Sequence, residues 1–242
     1  MFLHTMNDDE KTFESFRIIN WAKDVHDEYA KIIIEKFSRG TRFPYFNRVL
    51  FDDDRGNKWH LLFMCRNKAH AKKGIYATIC YSIYNVPRKR NADPKSDTNS
   101  GKGIIMFDPV QWSKYMDDQK NNRKPVFMDV VPHMFNQYTK RYLEPLGKAD
   151  IEFDYKVESM LSRWMHFDVM GDKSSEKHTD KGFAPYDVFM RDGGIMRGQI
   201  VTEVLIRFFT YVSEDMLYEN QKEWEEKMEH EWRAWIRKGI LL

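Results

Sequence analysis

Residues 48–65 of the chain read RVLFDDDRGNKWHLLFMC and predict a β-hairpin. The two flanking runs, 48–51 and 59–65, are apolar and aromatic-rich, a composition that favours strands. Between them, Asp52–Asn57 is a strong turn signal. This turn lacks the spaced oxygen ligands and the closing glutamate of an EF-hand, so it predicts a plain hairpin turn and not a calcium site.

Further strand patterns extend the sheet beyond this hairpin. Residues 75–84 predict a third strand, and residues 186–190 and 195–197 flank a glycine turn that predicts a second hairpin. Residues 201–212 are β-branched and aromatic and predict a long buried strand. We therefore expect the sheet to be assembled from residues 48–84 and 186–212.

Apolar residues at helical spacing predict the helices. The first runs from Asn7 to Phe37, is capped by Asn7 or Asp8, and ends at Gly40 in a left-handed conformation. Other helices are expected at 110–120 after Asp108, 132–143 after Pro132, 150–167 after Asp150, and 213–238 after Ser213. Residues 86–102 predict a long polar loop. Together these patterns predict one α+β domain over residues 1–242, with a mostly antiparallel sheet and long N- and C-terminal helices.

Composition excludes several classes of protein. Aromatic residues make up 15% of the 242 residues, which argues against disorder. The sequence lacks an apolar run long enough to span a membrane, and its first ten residues lack a secretory signal. Two cysteines, Cys65 and Cys80, are too few for a disulfide scaffold or a four-thiolate metal site. We expect a cytoplasmic protein with no cofactor and no membrane contact.

Positive charge is concentrated in the middle of the chain. The formal net charge is +2, but residues 65–148 carry 16 Lys and Arg against 7 Asp and Glu. Such a segment either forms an electropositive surface that attracts a polyanion such as RNA, or remains a solvated loop beside an acidic helix. Linear charge alone does not decide between these interpretations.

The segment 131–142 carries the most suggestive chemistry. On a helix that begins at Pro132, His133, Gln137 and Arg141 are spaced four apart and share one face. The helix dipole disfavours imidazolium in the first turn, so a neutral imidazole lies on the same face as a permanent cation. Such a pair can take a proton from a hydroxyl and hold a phosphate. The alternative is that His133 is a capping or surface residue and that Arg141 pairs with Glu144.

A family resemblance covers residues 126–221. The pattern Pro132-His133-x-x-x-Gln137-Tyr138-x-x-Arg141-Tyr142, the later glycine hairpin and the strand that ends in Phe209-Thr210-Tyr211-Val212-Ser213 resemble the barnase–EndoU–colicin–RelE ribonuclease superfamily. The similarity is to members with a His-led, Arg-bearing helix and a threonine near the last strand. It implies a ribonuclease-like core at 126–213, followed by the C-terminal helix 213–238.

The resemblance also implies metal-independent cleavage of RNA. In that family pattern His133 acts as acid or base, Arg141 binds the scissile phosphate and Thr210 positions a phosphate oxygen. Gln137 stands where the family often has arginine, which removes one cation. Because successive strand residues face opposite ways, only one of Thr210 and Tyr211 can share the face of His133.

Supporting contacts to the substrate are expected from a small set of residues. These are Gln137 and Lys140 on the helix and Arg207 on the last strand. The competing function is a noncatalytic interaction or nucleic-acid-binding protein, such as an accessory or defence-related factor.

The C-terminal helix and a histidine-containing segment leave further alternatives. The tryptophans of the helix either dock on the body of the protein or anchor a protein partner. His166, Asp168, Asp172 and His178 lack a recognised ligand spacing, so no metal site is predicted. The oligomeric state is left open by the sequence.

Overall fold

An eight-stranded sheet organises the protein, and helices pack on both of its faces. The computed structural model describes residues 5–88, 99–110, 127–164, 185–191, 193–202, 204–219 and 230. The helices are α1 Asp8–Arg39, α2 Lys68–Lys72, α3 Pro132–Tyr138 and α4 Phe153–Arg163. The strands are β1 Tyr45–Asp52, β2 Lys58–Cys65, β3 Ala77–Val86, β4 Gly101–Phe107, β5 Phe127–Val130, β6 Pro185–Phe189, β7 Ile195–Ile200 and β8 Leu205–Val212. The predicted α+β class with a mostly antiparallel sheet is confirmed.

The sheet joins two antiparallel halves through one parallel pair of strands. Its order is β1-β2-β3-β4-β5-β8-β7-β6, and only β5 and β8 run parallel, with Phe127 opposite Leu205. The predicted ranges contribute six of these strands, but β4 and β5 belong to the sheet as well. The predicted loop at 86–102 is therefore wrong at its end, because β4 begins at Gly101. Glycine at 103 allows the Tyr84 ring to cross this strand: a Cβ there would lie 2.5 Å from the ring.

The β1–β2 hairpin is confirmed, and a buried carboxylate holds its turn. Asp53 accepts hydrogen bonds from the backbone N–H groups of Arg55 and Asn57 at 2.9 and 2.8 Å. Its second oxygen accepts from the Asn57 amide at 2.7 Å and from the Trp59 indole at 3.2 Å. Arg17 of α1 also donates to this oxygen, at 2.6 Å, so the hairpin turn is tied to the helix.

The predicted N-terminal helix is confirmed, with Asn7 as its cap. The Asn7 side chain accepts from the Glu10 N–H, and the Glu10 side chain accepts from the Asn7 N–H, which completes a capping box. The expected left-handed glycine at its end is wrong, since Gly40 has φ −62° and an extended backbone. Gly40 instead lies in close packing: a Cβ would lie 3.2 Å from both the Phe37 carbonyl and the Tyr45 ring.

Several predicted boundaries differ from the structure. Asp150 does not cap α4, whose N-cap is Glu152, and the helix ends at Arg163 because Trp164 pairs with Met190 as an isolated bridge. The predicted strand 201–212 starts late because Val201 donates to the Leu205 carbonyl in a turn.

Ser213 does not cap a long α-helix. A single 3-10 turn, Glu214–Met216, follows it, and Leu217 returns to an extended conformation. The rest of the predicted helix at 213–238 lies outside the described residues, apart from 217–219 and 230. The same is true of the predicted helix at 110–120 beyond residue 110.

Alternating residues place two cores on the two faces of the sheet. Leu61 belongs to the core under α1, whereas its neighbour Leu62 belongs to the core under α3 and α4. We call these sides the α1 face and the α3–α4 face. This division decides which of the candidate residues can meet.

Candidate functional site

Helix α3, which was predicted to hold the catalytic residues, packs on the α3–α4 face of the sheet. Pro132 occupies its first turn, directly after β5, and the Val131 N–H donates to the Phe208 carbonyl at 3.2 Å. Met134 and Tyr138 are fully buried beneath it. Gln137 is half-buried on α3, and Lys140 is exposed just beyond it.

Arg141 lies on a π-helical turn that continues α3 over Thr139–Leu143. A π-turn is wider than an α-turn, so the four-residue spacing from Gln137 no longer keeps the two side chains in line. The Arg141 guanidinium donates to the backbone carbonyl of Tyr211 and ties the helix end to β8. The alternative pairing of Arg141 with Glu144 is not among the salt bridges of the described residues.

His133 lies half-buried in the first turn of α3. Its Nδ1 atom is buried and has no hydrogen-bond partner within the described part of the chain. Residues 100 and 101 lie against this end of the helix, where the Asn136 amide donates to the Ser100 carbonyl at 3.1 Å. His133 and Arg141 thus lie on one continuous helical segment, but the π-helical turn offsets Arg141 from the single face that the spacing predicted.

Thr210 faces away from that helix. Arg197 of β7 pairs with Thr210 and the next residue, Gly198, pairs with Phe208, so Phe209 is an extra, bulged residue in β8. The bulge reverses the alternation, and Tyr211 packs in the core beneath α3. Thr210 therefore points to the α1 face, and the expected grouping of Thr210 with His133 does not form.

Arg207 also lies on the α1 face, in a buried ionic network. Its Nε donates to Asp129 at 2.9 Å, and another of its nitrogens donates to Asp8 at the start of α1. Asp129 is fully buried and also accepts from Lys11 and Tyr84, both at 2.7 Å. These contacts join α1 to the central parallel strands. The Arg207 guanidinium thus binds carboxylates of the protein itself, where the sequence predicted a contact to the substrate.

The sequence patterns did not predict this network, although one residue indicated a buried charge. Asp129 stands in the otherwise apolar strand Phe127–Val130. A carboxylate in a buried strand requires a cationic or hydrogen-bonding partner. The position therefore indicates a buried ion pair, but sequence alone does not identify Lys11, 118 residues away, as the partner.

A second polar cluster fastens α4 to the outer strands. Arg48 of β1 donates to Asp154 at 2.7 Å and pairs with Glu158. His60 of β2 stacks on Tyr81, with ring centroids 4.6 Å apart. Burial lowers the pKa of His60, and the positive charges of Arg48 and Lys58 lower it further, against the opposing effect of Asp154. The neutral imidazole thus serves as a packing group beneath α4.

Exposed cations surround the C-terminal end of α1. We call this surface the basic end, and it consists of Lys36, Arg39, Arg42, Lys68, Lys72 and Lys73. The Lys68 ammonium donates to the carbonyls of Ser38 and Gly40 at 2.8 and 2.7 Å, so α2 lies directly against the helix terminus.

Few acids compensate the charge of the basic end. Arg39 pairs with Glu35, but no salt bridge among the described residues engages any of the other five cations. His70, beside them on α2, has its pKa lowered by burial and then by Arg66 and Lys73. The local field is therefore positive.

The basic segment of the sequence divides in space. Lys68, Lys72 and Lys73 join the basic end, while Lys102 lies over the Phe153 ring on the α3–α4 face, 5.6 Å from its centre. Segments 89–98 and 111–126 lie outside the described residues. Within the described part, cations of the 65–148 run thus lie on different surfaces, and residues 36–42 supply the other half of the basic end.

Neither a search for metal-binding groups among the described residues nor comparison with known proteins identifies another site. Among the described residues, no group of three or more His, Cys, Asp and Glu could hold a metal ion, and no helix is long and apolar enough to cross a membrane. His166, Asp168, Asp172 and His178 lie outside the described residues. Comparison of the chain with protein-family models, curated proteins and solved structures gives no match.

Proposed function

We propose that the protein binds RNA through the basic end. The observation that carries this proposal is the set of exposed cations at the junction of α1 and α2, five of which have no salt bridge within the described residues. Uncompensated cations attract a polyanion and gain affinity from the counterions it releases. Of the two functions weighed from the sequence, this geometry favours the noncatalytic nucleic-acid-binding protein.

The arrangement of the sheet separates the basic end from the candidate catalytic helix. The basic end surrounds the end of α1, whereas His133 and Arg141 lie on the α3–α4 side. Thr210, which the ribonuclease pattern expects beside the helix, and Arg207, expected as a supporting contact, lie on the α1 face. Binding is therefore better supported than cleavage.

Two matched pairs of substitutions test the location of the binding surface. Lys72→Gln with Lys73→Gln removes two charges from the basic end, and Lys140→Gln with Lys148→Gln removes two exposed charges beyond α3. RNA affinity is measured by fluorescence anisotropy at several salt concentrations. The first pair should weaken binding and reduce the slope of log affinity against log salt by up to about 1.4, since each phosphate contact contributes ~0.7 for a single strand. The second pair should bind as the wild type does; equal effects of both pairs would refute the proposal.

Metal-independent cleavage of RNA is a second candidate function. The unpartnered Nδ1 of His133, on the helical segment that carries Arg141, favours it. Wild-type protein and His133→Ala are incubated with total RNA, with and without a chelator. Cleavage that resists the chelator and disappears in the variant would establish this activity. Intact RNA in every reaction would reject it and leave RNA binding unaffected.

A reducing, cytoplasmic setting accompanies the proposal. Cys65 and Cys80 are both buried free thiols, and burial raises the pKa of each. Buried unpaired thiols are typical of proteins that fold in reducing compartments. The proposed protein partner of the C-terminal helix stays a prediction.

A further inference from the structure

A shallow groove runs along one side of the basic end. Its volume is about 430 Å³, within the range of ~300–1,000 Å³ that pockets for small organic molecules occupy. Its walls are formed by Lys36, Arg39, Gly40, Thr41, Arg42 and Tyr45. Three cations and one aromatic ring thus line a space large enough for one nucleotide.

The aromatic wall of the groove is held in place by its surroundings. The Tyr45 ring lies edge-on to Phe37, with centroids 5.3 Å apart, and 6.5 Å from the Phe43 ring. Gly40 allows this ring to approach the end of α1, because any Cβ there would lie 3.2 Å from it. A ring fixed in this way loses little conformational freedom when a ligand packs against it.

We propose that this groove binds single-stranded RNA, with phosphates on Lys36, Arg39 and Arg42 and an unpaired base against Tyr45. The inference rests on the proposed function and names the form of RNA that the basic end selects. Cations alone would hold single strands and duplexes alike, since both carry phosphates. A base can contact an aromatic side chain only when it is unpaired, because a duplex hides its base faces in the stack.

The test compares a 12-nucleotide single strand with a 12-base-pair duplex of RNA by fluorescence anisotropy at one salt concentration. Tyr45→Leu should weaken single-strand binding by about 5- to 140-fold, the loss expected for one base stack, and leave duplex binding nearly unchanged. Tyr45→Phe keeps the ring and should bind as the wild type does. Arg42→Gln should weaken binding of both RNAs. Tyr155→Leu, which removes an exposed ring on α4, is the matched control and should have no effect.

Each outcome separates this inference from the proposed function. If Arg42→Gln weakens both RNAs and Tyr45→Leu changes neither, or changes both equally, the single-strand inference fails and RNA binding at the basic end stands. If Arg42→Gln and Tyr45→Leu both leave RNA binding unchanged, the single-strand inference fails; if Lys72→Gln with Lys73→Gln also leaves it unchanged, both proposals fail. Thermal melts of Tyr45→Phe and Tyr45→Leu show whether the leucine variant is folded. If it is unfolded, equal single-strand and duplex affinities of the wild type would overturn the inference.

Discussion

The ring of Tyr138 on α3 meets the ring of Tyr211 on β8 edge-on, with centroids 5.3 Å apart. This contact exists because the bulge at Phe209 turns Tyr211, and not Thr210, toward the helix. Arg163 completes the cluster: it is 4% exposed and lies over the Tyr142 ring, 3.5 Å from its centre. Burial raises the pKa of Tyr138 to about 12, so its hydroxyl stays protonated and available to Ser159 at neutral pH.

The bulge predicts opposite consequences for two neighbouring residues. Tyr211→Ala should lower the free energy of unfolding by about 3–5 kcal/mol, because it removes a fully packed ring from the core. Thr210→Ala should change it by less than ~1 kcal/mol, since Thr210 lies outside that core. Urea denaturation of both variants measures the difference. Similar losses in the two variants would contradict the orientation of β8.

The Asp129 network predicts a large loss of stability when its carboxylate is removed. Asp129→Ala leaves Lys11 and Arg207 without their buried counter-charge, and the expected cost is about 3–5 kcal/mol. Tyr84→Phe removes one neutral donor to the same carboxylate and should cost less, about 1.5–3 kcal/mol. Chemical denaturation ranks the two variants. A loss below ~1 kcal/mol in Asp129→Ala would show that the network does not stabilise the junction of α1 with the sheet.

Asp53 predicts part of the acid sensitivity of the protein. Burial alone would raise its pKa, but hydrogen bonds from Asn57, Arg17 and Trp59 outweigh burial and hold the pKa well below 3.8. Since the unfolded chain takes up this proton at a higher pH, the contribution of Asp53 is complete only above about pH 5 and decreases as the pH falls further. At pH 7, Asp53→Asn should cost about 1–3 kcal/mol. The difference from wild type should shrink between pH 5 and 2.5; a constant difference in urea midpoints would argue against this role.

His60 predicts a second pH dependence, in a higher range. Its pKa is lowered in the folded state, so the unfolded chain binds the proton first as the pH falls below 6.5. The stability of the wild type should therefore decrease between pH 7 and 5, and His60→Gln should decrease less. His70, whose pKa is also lowered, remains in both proteins, so the difference between the two slopes isolates His60. Thermal melts over this pH range measure it, and identical slopes would exclude the effect.

Local sequence patterns predicted most of the elements but not their partners. Alternating apolar residues and the polar turn at 52–57 identified the first hairpin, and the Asn7 cap identified the start of α1. The sequence did not predict strand β4, because its glycines weaken the strand pattern. Its pairing with β3 also spans the long polar loop. The parallel pairing of β5 with β8 joins residues 78 positions apart, and no local pattern specifies it.

In the candidate site, too, local spacing predicted the positions of residues on one helix but not the contacts between residues distant in the sequence. The four-residue spacing of His133, Gln137 and Arg141 predicted one shared helix face, and the structure places the three residues on one helical segment whose π-turn offsets Arg141. The sequence analysis placed Thr210 and Arg207 with them, but an unforeseen bulge and the distant carboxylates Asp129 and Asp8 determine where those two side chains lie. The basic end was not visible in the sequence, since its six cations come from two separate stretches, 36–42 and 68–73.

Photo-cross-linking tests the central claim most directly. A single-stranded RNA that carries 4-thiouridine is cross-linked to the 242-residue protein, and the modified peptides are identified by mass spectrometry. We expect cross-links at the basic end, within residues 36–45 and 66–73, with Tyr45 among them. Cross-links concentrated on residues 132–143, with none at 36–45 or 66–73, would contradict this expectation and move the RNA to the helix that carries His133.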